Sequence, residues 1–594
     1  MRRKAVSRLI AASGIVGVCA FVGVGPAAAA PDTADIGMVD VVDLGVTGAL
    51  NAMEIGKVTS EQLVQAYLDR ITGYDGHAPM DGGLGAIVSL NPNALTEARD
   101  RDRQRREGEI VGPLHGVPVL VKDNINTAEM PTSQGNKALS TYQPFEDSGV
   151  VERLRKAGAI VIGKTNMAEF AAYWDTQSSV RGRTLNPYNI TRNVSGSSGG
   201  SGAGVTSSFA AFGIGTESCG SLTDVASFTN LVGLRPTPGL VSRAGIDYNP
   251  IGDTAGPLAL NVEDAARALD VLVGTDPADP LTADAYTHKP ASYLNGLSDT
   301  SLQGKRIGYF VHPLGGYDFT VGPGSDSVLA TADQAMMDMA ARGATIVPID
   351  ISRQWLDTYM PKGAEYWGSG GREDYFLRTD AKVPDGLASE TEPKDKINYG
   401  DLIAADHDLD PVTEKMLQSG DNFPTDSAAY QTAVDGRSLV EKGVEALEAQ
   451  NGLDFLAYPT MSAPPVTLHD VAKPVSVDAE QFGTSCGWAT FTGRPVITVP
   501  AGFDNDGLPV GVSLLGQRYG ESALLGVAYD YEHSTPHRIA PDLSAVEVNI
   551  ADKAKTDSPG GGAQMTRAGV VSVTVGALGT VVVASYAIRR RSRP

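Results

Sequence analysis

Three residues of this 594-residue chain have types and surroundings suited to acyl-transfer chemistry. Ser197 and Ser221 are 24 residues apart, each in a glycine-rich stretch, and Lys122 ends a short apolar run. An alcohol is a weak nucleophile near neutral pH and needs a neighbouring base. A lysine acts as that base only when neutral, so burial must lower its pKa from about 10.4. The set predicts a serine nucleophile, a second serine that relays its proton, and a lysine base.

Other ways to activate a serine fit the sequence less well. The chain has eight histidines, and none stands in a recognisable Ser-His-Asp arrangement. Residues 196–200 match the G-x-S-x-G nucleophile motif, but that motif follows a strand, whereas residues 186–189 are typical of a turn. No CxxC or Cys/His cluster is present, so we predict no metal site and no organic cofactor.

Several separate blocks resemble the amidase signature family, over roughly residues 58–541. The blocks are Gly112–Pro118, Ala157–Phe170, Val232–Thr237, and Val499–Gly502 with Leu508–Gly511. The resemblance implies that Ser221 is the nucleophile, that Ser197 is the bridging serine preceded by a cis peptide bond, and that Lys122 is the base. Within the family, the chain looks most similar to bacterial peptide-amidase-like enzymes.

The same resemblance implies groups that support these three residues. The expected oxyanion-hole donors are the backbone N–H groups of Ser218, Cys219, Gly220 and Ser221. Ser198 and Thr216 are expected to contact the catalytic side chains. The implied reaction is hydrolysis of the C–N bond of a linear carboxamide, either a small-molecule or a peptide amide.

Two alternatives remain beside hydrolysis. Thr223 and Val225 stand where the family usually has arginine and proline, so an inactive surface binding protein with this fold is one alternative. An amidotransferase subunit that acts on charged tRNA shares the motifs. The net charge of −22 and the pI of about 4.8 argue against a nucleic-acid partner.

The two ends of the chain have the composition of targeting segments. Residues 1–29 are typical of a cleaved secretory signal, and residues 551–567 of a flexible linker. Residues 568–588 are uncharged and long enough for a transmembrane helix, and residues 589–594 form a basic tail. We therefore expect an exported enzyme on the extracellular face, anchored by one C-terminal helix, with its C-terminus in the cytoplasm. The signal peptide counts against the amidotransferase alternative.

The catalytic domain is predicted to span residues 36–545. Strand and helix patterns alternate along it, which favours one large α/β domain with a central mixed β-sheet covered by helices. Residues 117–121 are predicted as a buried strand, 167–173 as the start of a helix and 186–204 as a loop. Residues 355–426 are irregular in pattern and are interpreted as a lid or cap.

Outside the signal segment the chain has two cysteines, Cys219 and Cys486. An oxidising compartment favours a disulfide, but separation along the chain says nothing about distance in space. The sequence does not decide whether they form a disulfide, and two buried free thiols are the favoured interpretation.

Overall fold

The computed structural model describes most of the predicted catalytic domain. The described residues are 39–76, 81–172, 174–246, 252–310, 314–315, 320–321, 325–360, 377–378, 381–382, 396–397, 427–468 and 484–556. The predicted signal segment, transmembrane segment and basic tail lie outside these residues, as does most of the predicted lid.

An eleven-stranded mixed sheet forms the centre of the molecule. Its strands are β1 (Ile87–Leu90), β2 (Pro118–Lys122), β3 (Ile160–Thr165), β4 (Phe212–Glu217), β5 (Val232–Arg235), β6 (Thr254–Ala259), β7 (Arg306–Phe310), β8 (Thr345–Ile349), β9 (Phe455–Pro459), β10 (Val496–Phe503) and β11 (Pro509–Leu515). Their order across the sheet is β1-β3-β2-β4-β6-β5-β10-β11-β9-β7-β8. Strand β2 is parallel to both of its neighbours, β3 and β4.

Helices cover this sheet. They are α1 (Gly45–Glu54), α2 (Ser60–Tyr74), α3 (Ala94–Arg106), α4 (Gly149–Lys156), α5 (Gly199–Thr206), α6 (Thr223–Phe228), α7 (Val262–Leu272), α8 (Ala285–His288), α9 (Asp326–Ala341), α10 (Arg353–Tyr359), α11 (Ala428–Asn451), α12 (Gly487–Thr492), α13 (Glu521–Ser534) and α14 (Ser544–Thr556). Helix α2 begins with a capping box, in which Thr59 and Gln62 each bond the other's backbone N–H.

The predicted fold class is confirmed, because one mixed sheet with helices around it runs through the described chain. The strand predicted over 117–121 is found as β2, and all five of its residues are buried. Such continuous burial is typical of a parallel strand covered on both faces. The apolar run thereby carries Lys122 into the interior, at the carboxyl end of a central strand.

Three local predictions need correction. Residues 167–173 do not begin a regular helix: Glu169–Ala171 is a short 3-10 turn in which Phe170 has a φ of 51°. The segment 186–204 is not all loop, since α5 starts at Gly199. Helix α14 extends to Thr556 and so covers the first residues of the predicted linker.

Candidate active site

Lys122 is completely buried at the carboxyl end of β2. Its Nζ lies 2.6 Å from Ser197 Oγ and 2.8 Å from Thr216 Oγ1. Thr216 comes from the adjacent parallel strand β4. The sheet thus places the amine and one of its hydroxyl partners on neighbouring strands.

Ser197 connects the lysine to the second serine. Its Oγ is 2.9 Å from Ser221 Oγ, and its backbone N–H donates to the same oxygen at 3.0 Å. The Gly196–Ser197 peptide bond is cis, as the family resemblance implied. Both serines are buried, with Ser221 5% exposed. An unbroken hydrogen-bond chain therefore runs from Ser221 through Ser197 to Lys122.

The side chains of Thr216 and Ser198 lie close to this hydrogen-bond chain but bond different groups. The Thr216 hydroxyl contacts Lys122 directly and also accepts from Asn124 Nδ2 at 3.2 Å. The Ser198 hydroxyl bonds the backbone of Thr216: its Oγ donates to Thr216 O at 3.2 Å and accepts from Thr216 N at 3.3 Å. Ser198 thus fastens the start of α5 to β4, while Thr216 belongs to the immediate surroundings of the lysine.

The turn between β4 and α6 is organised by the carboxylate of Glu217. This carboxylate accepts from the backbone N–H of Gly220 and of Leu222, and from that of Thr223 at 3.1 Å. Gly220 has a φ of 88°, and an added Cβ would collide with the Asp224 carboxylate. The turn therefore requires glycine at this position.

This bonding pattern changes the set of candidate oxyanion donors. The Gly220 N–H already donates to Glu217, so it is not free to act as predicted. None of the hydrogen bonds within the described residues uses the N–H groups of Ser218, Cys219 or Ser221. Three of the four predicted donors thus remain candidates for an oxyanion.

Two buried carboxyl groups lie next to the nucleophile's turn. Burial raises the pKa of Glu217, whereas the Arg235 guanidinium and the backbone N–H donors act in the opposite direction. Burial raises the pKa of Asp224 well above its ordinary value, and the nearby charge of Glu217 raises it further, while the Thr484 hydroxyl opposes the rise. Asp224 is accordingly expected to keep its proton to higher pH than an exposed aspartate does.

Cys219 and Cys486 form a disulfide, so the favoured interpretation of two free thiols is wrong. Cys219 lies in the turn and Cys486 directly precedes α12, and their Cα atoms are 4.9 Å apart. Two further side chains bond the same turn: Trp174 Nε1 donates to Cys219 O at 2.9 Å, and Thr490 Oγ1 to Ser218 O at 2.6 Å. Sequence reasoning missed both residues, because neither lies in a recognisable motif.

A second buried lysine was not among the residues predicted from the sequence. Lys164 of β3 is 3.3 Å from Asp123 Oδ1, and neither side chain is exposed. Lys164 stands inside the block Ala157–Phe170 and Asp123 directly follows Lys122, so a signal for both was present. Across the described residues, no group of histidine, cysteine and carboxylate side chains is arranged to hold a metal ion.

This chain is similar to known proteins in both sequence and structure. The amidase family model matches residues 62–525. A glutamyl-tRNA(Gln) amidotransferase subunit from Thermosynechococcus vestitus is 32% identical over 507 residues, which are 82% of this chain and 97% of that protein. Peptide amidase from Stenotrophomonas maltophilia has a similar structure, with a TM-score of 0.68 and 34% identity over 85% of this chain and 99% of its own.

An amidase family protein from Bacillus anthracis is also similar, with a TM-score of 0.64 and 30% identity over 84% of this chain and 93% of its own. These relatives match over most of both chains, so the likeness covers the whole domain rather than the motifs alone.

The cellular location predicted from the sequence is wrong on these findings. No helix among the described residues is long and apolar enough to span a membrane. Sequence relatives that match over most of the chain are subunits of an amidotransferase named for a tRNA substrate. The segments on which the prediction of an extracellular, anchored enzyme rested lie outside the described residues.

Three findings agree with one another. Hydrogen bonds join Ser221, Ser197 and Lys122, a mixed sheet holds these residues, and the family model matches residues 62–525. This chain belongs to the amidase signature family, whose members act on amide C–N bonds.

Proposed function

We propose that this protein hydrolyses a linear carboxamide through an acyl-enzyme on Ser221. The observation that carries the proposal is the hydrogen-bond chain from Ser221 Oγ to Ser197 Oγ at 2.9 Å and on to Lys122 Nζ at 2.6 Å. Both distances suit proton transfer, which requires heavy atoms within hydrogen-bond reach.

The first half of the reaction forms the acyl-enzyme. Ser221 Oγ attacks the carbonyl carbon, its proton passes to Ser197 Oγ, and the Ser197 proton passes to neutral Lys122. The oxyanion accepts from N–H groups in the turn, with those of Ser218, Cys219 and Ser221 as candidates. When the C–N bond breaks, Ser197 donates its proton to the leaving nitrogen and regains one from Lys122.

The second half repeats these transfers with water as the nucleophile. Water gives a proton through Ser197 to Lys122 as it attacks the acyl carbon. The proton returns to Ser221 Oγ when the ester bond breaks, and the carboxylic acid leaves. Ser197 thus serves as both acid and base, as one group must in the two halves of such a cycle.

The altered residues after the nucleophile leave its support intact. Helix α6 still begins at Thr223, the position at which the family usually has arginine. The Thr223 N–H is bonded to Glu217, and the Asp224 N–H to Gly220 O at 2.9 Å. This supports an active enzyme over the alternative of an inactive binding protein.

An amidotransferase role is the second candidate, favoured by the names of the sequence relatives. Such a protein would release ammonia from an amide for transfer to a charged tRNA. The net charge of −22 weighs against binding a polyanion directly. Likeness to peptide amidase instead supports hydrolysis of C-terminal peptide amides, which we place first among the substrates.

The purified protein should be assayed with C-terminal peptide amides, fatty amides, aryl amides and free glutamine. We expect turnover of at least one linear amide by the wild type and none by Ser221→Ala. Ser207→Ala is a matched control, because Ser207 is buried after α5 and its Oγ has no hydrogen-bond partner among the described residues. Full activity in Ser221→Ala would refute the proposal. Turnover of glutamine alone, stimulated by tRNA, would favour the amidotransferase.

A further inference from the structure

Cys219 is held from three directions by side chains outside its own turn. Its sulfur is bonded to Cys486. The carbonyl oxygen on its N-terminal side, that of Ser218, accepts from Thr490 Oγ1 at 2.6 Å. Its own carbonyl oxygen accepts from Trp174 Nε1 at 2.9 Å. These contacts fix both peptide planes that meet at the Cys219 Cα.

Because each peptide group is planar, a contact that fixes its C=O also fixes the direction of its N–H. In a trans peptide, the C=O and the N–H point in opposite directions within one rigid plane. Thr490 holds the C=O of the plane that carries the Cys219 N–H. The next plane is held at both ends, by Trp174 at its C=O and by Glu217 at the Gly220 N–H. The direction of the Cys219 N–H is therefore set from outside the turn.

The support behind these contacts is itself firmly packed. Trp488 of α12 is 1% exposed and stacks on Phe310 of β7, with ring centroids 4.3 Å apart and an interplanar angle of 9°. Arg437 of α11 donates to the carbonyl oxygen of Thr490. Ser485 N donates to Thr460 O at 3.1 Å, just beyond β9. Residues 484–492 thus form a platform, hereafter the α12 platform, joined to the sheet and to α11.

We propose that the α12 platform positions the oxyanion hole, with Thr490 and the Cys219–Cys486 disulfide holding the Cys219 N–H in the direction that an oxyanion requires. The inference rests on the proposed function of Ser221. Thr490 and Cys486 are positioning residues, since they act through the backbone of residues 218–220. Preorganised donors are effective because they need no reorientation as charge develops in the transition state.

The test measures how fast a fluorophosphonate phosphonylates Ser221. In this reaction Ser221 Oγ gives its proton through Ser197 to Lys122 and bonds to phosphorus, fluoride leaves, and the phosphoryl oxygen takes negative charge in the transition state. The readout needs no known amide substrate. Thr490→Val removes the hydroxyl while keeping the shape of the side chain, and we expect labelling about tenfold slower. Loss of an entire donor typically costs about 10²- to 10³-fold.

Two variants of the same helix separate positioning from general packing. Thr490→Ser retains the hydroxyl and should restore labelling to within about twofold of wild type. Thr492→Val is the matched control, because Thr492 Oγ1 donates to Trp488 O at 2.7 Å within α12 and does not touch the turn. It should label at the wild-type rate. The Thr490 hydroxyl also lies 3.0 Å from Cys486 O, within the α12 platform. The bond from Thr492 to Trp488 is of the same kind, so Thr492→Val controls for the loss of such a bond.

The disulfide is tested by Cys219→Ser with Cys486→Ser, which keeps the Cys219 N–H and removes only the cross-link. We expect slower labelling and weaker inhibition by a peptide aldehyde, whose hemiacetal oxyanion needs the hole, with KM for a hydrolysed amide changed less than kcat. If this double variant does not fold, Thr490→Val alone decides the matter.

Wild-type labelling rates in Thr490→Val would overturn the inference, as would equal slowing in Thr490→Val and Thr492→Val. Failure of the wild type to react at Ser221 would instead refute the proposed function.

Discussion

Two fully buried lysines on neighbouring strands differ in the side chains that bond their amines. Lys122 ends β2, and Lys164 lies on the parallel strand β3, where it pairs with Val121 in register. The Lys122 amine donates to the hydroxyls of Ser197 and Thr216. The Lys164 amine lies 3.3 Å from the Asp123 carboxylate and 2.8 Å from Thr132 Oγ1.

The difference agrees with the proposed role of Lys122 as a base and favours a structural, cationic Lys164. Burial lowers the pKa of Lys164 below its ordinary value, and the adjacent negative charge of Asp123 offsets part of that fall and so favours the ammonium form. The two hydroxyls that bond Lys122 carry no full charge, so they favour the ammonium form less than a carboxylate does, and acyl transfer needs the neutral amine. The partner of a buried lysine, more than its burial, therefore indicates its role.

The largest expected effect is at Lys122. In Lys122→Arg we expect the rate of amide hydrolysis to fall by about 10³-fold or more, because a guanidinium stays protonated and accepts no proton. Lys122→Ala should be similarly impaired. Measuring kcat/KM for both, with circular dichroism to confirm folding, checks this. An arginine variant with near wild-type rates would show that Lys122 supplies only positive charge.

The next effect is on folding rather than chemistry. Lys164→Met leaves the Asp123 carboxylate buried without its cation, and breaking a buried pair typically costs about 3–5 kcal/mol. We expect the free energy of unfolding in urea to fall by about that amount, while labelling of the remaining folded protein by a fluorophosphonate changes little. Adding Asp123→Asn should recover part of the loss. Unchanged stability in Lys164→Met would remove the distinction between the two lysines.

Ser197→Ala should slow hydrolysis by at least about 10²-fold, since it removes the relay between nucleophile and base. Stability should change little because alanine fits the same space. Ser207→Ala, outside the hydrogen-bond chain, is the control and should keep full activity. A Ser197→Ala enzyme with wild-type kcat would mean that the proton reaches Lys122 by another route.

The smallest expected effect concerns Asp224, a buried acid whose neighbour is another acid, Glu217. Its raised pKa means that the folded protein keeps a proton that the unfolded chain loses above the ordinary pKa of aspartate. Stability therefore falls as pH rises from there toward the raised value. Asp224→Asn removes this penalty, so its melting temperature should exceed that of wild type by a margin that grows as pH rises above the ordinary pKa of aspartate. The exposed Asp69→Asn should show no such trend.

The three residues of this candidate site were predictable from sequence, whereas the contacts that hold its turn in place were not. Ser197, Ser221 and Lys122 were predictable because acyl transfer restricts their types and the family motifs fix their positions. Contacts of Thr490 and Trp174 with the turn arise only when distant segments meet. The disulfide was left open for the same reason, since its cysteines are 267 residues apart.

The local errors have a similar physical origin. A glycine-rich segment has low helix propensity, so residues 186–204 were interpreted as loop. Helix α5 nevertheless begins at Gly199 and packs so closely on its neighbours that an added Cβ at Gly200 would collide with the backbone of Asn166. Its glycines permit close packing in the core. Such tertiary contact overrides propensity, and sequence pattern alone does not reveal it.

The central claim, that Ser221 is the nucleophile activated through Ser197 by Lys122, is tested most directly by locating the covalent adduct. Wild-type protein should be treated with a fluorophosphonate, digested, and mapped by mass spectrometry. We predict one adduct on Ser221, absent in Ser221→Ala and formed at a greatly reduced rate in Lys122→Arg. An adduct on another residue, or equal labelling of wild type and Lys122→Arg, would contradict the account.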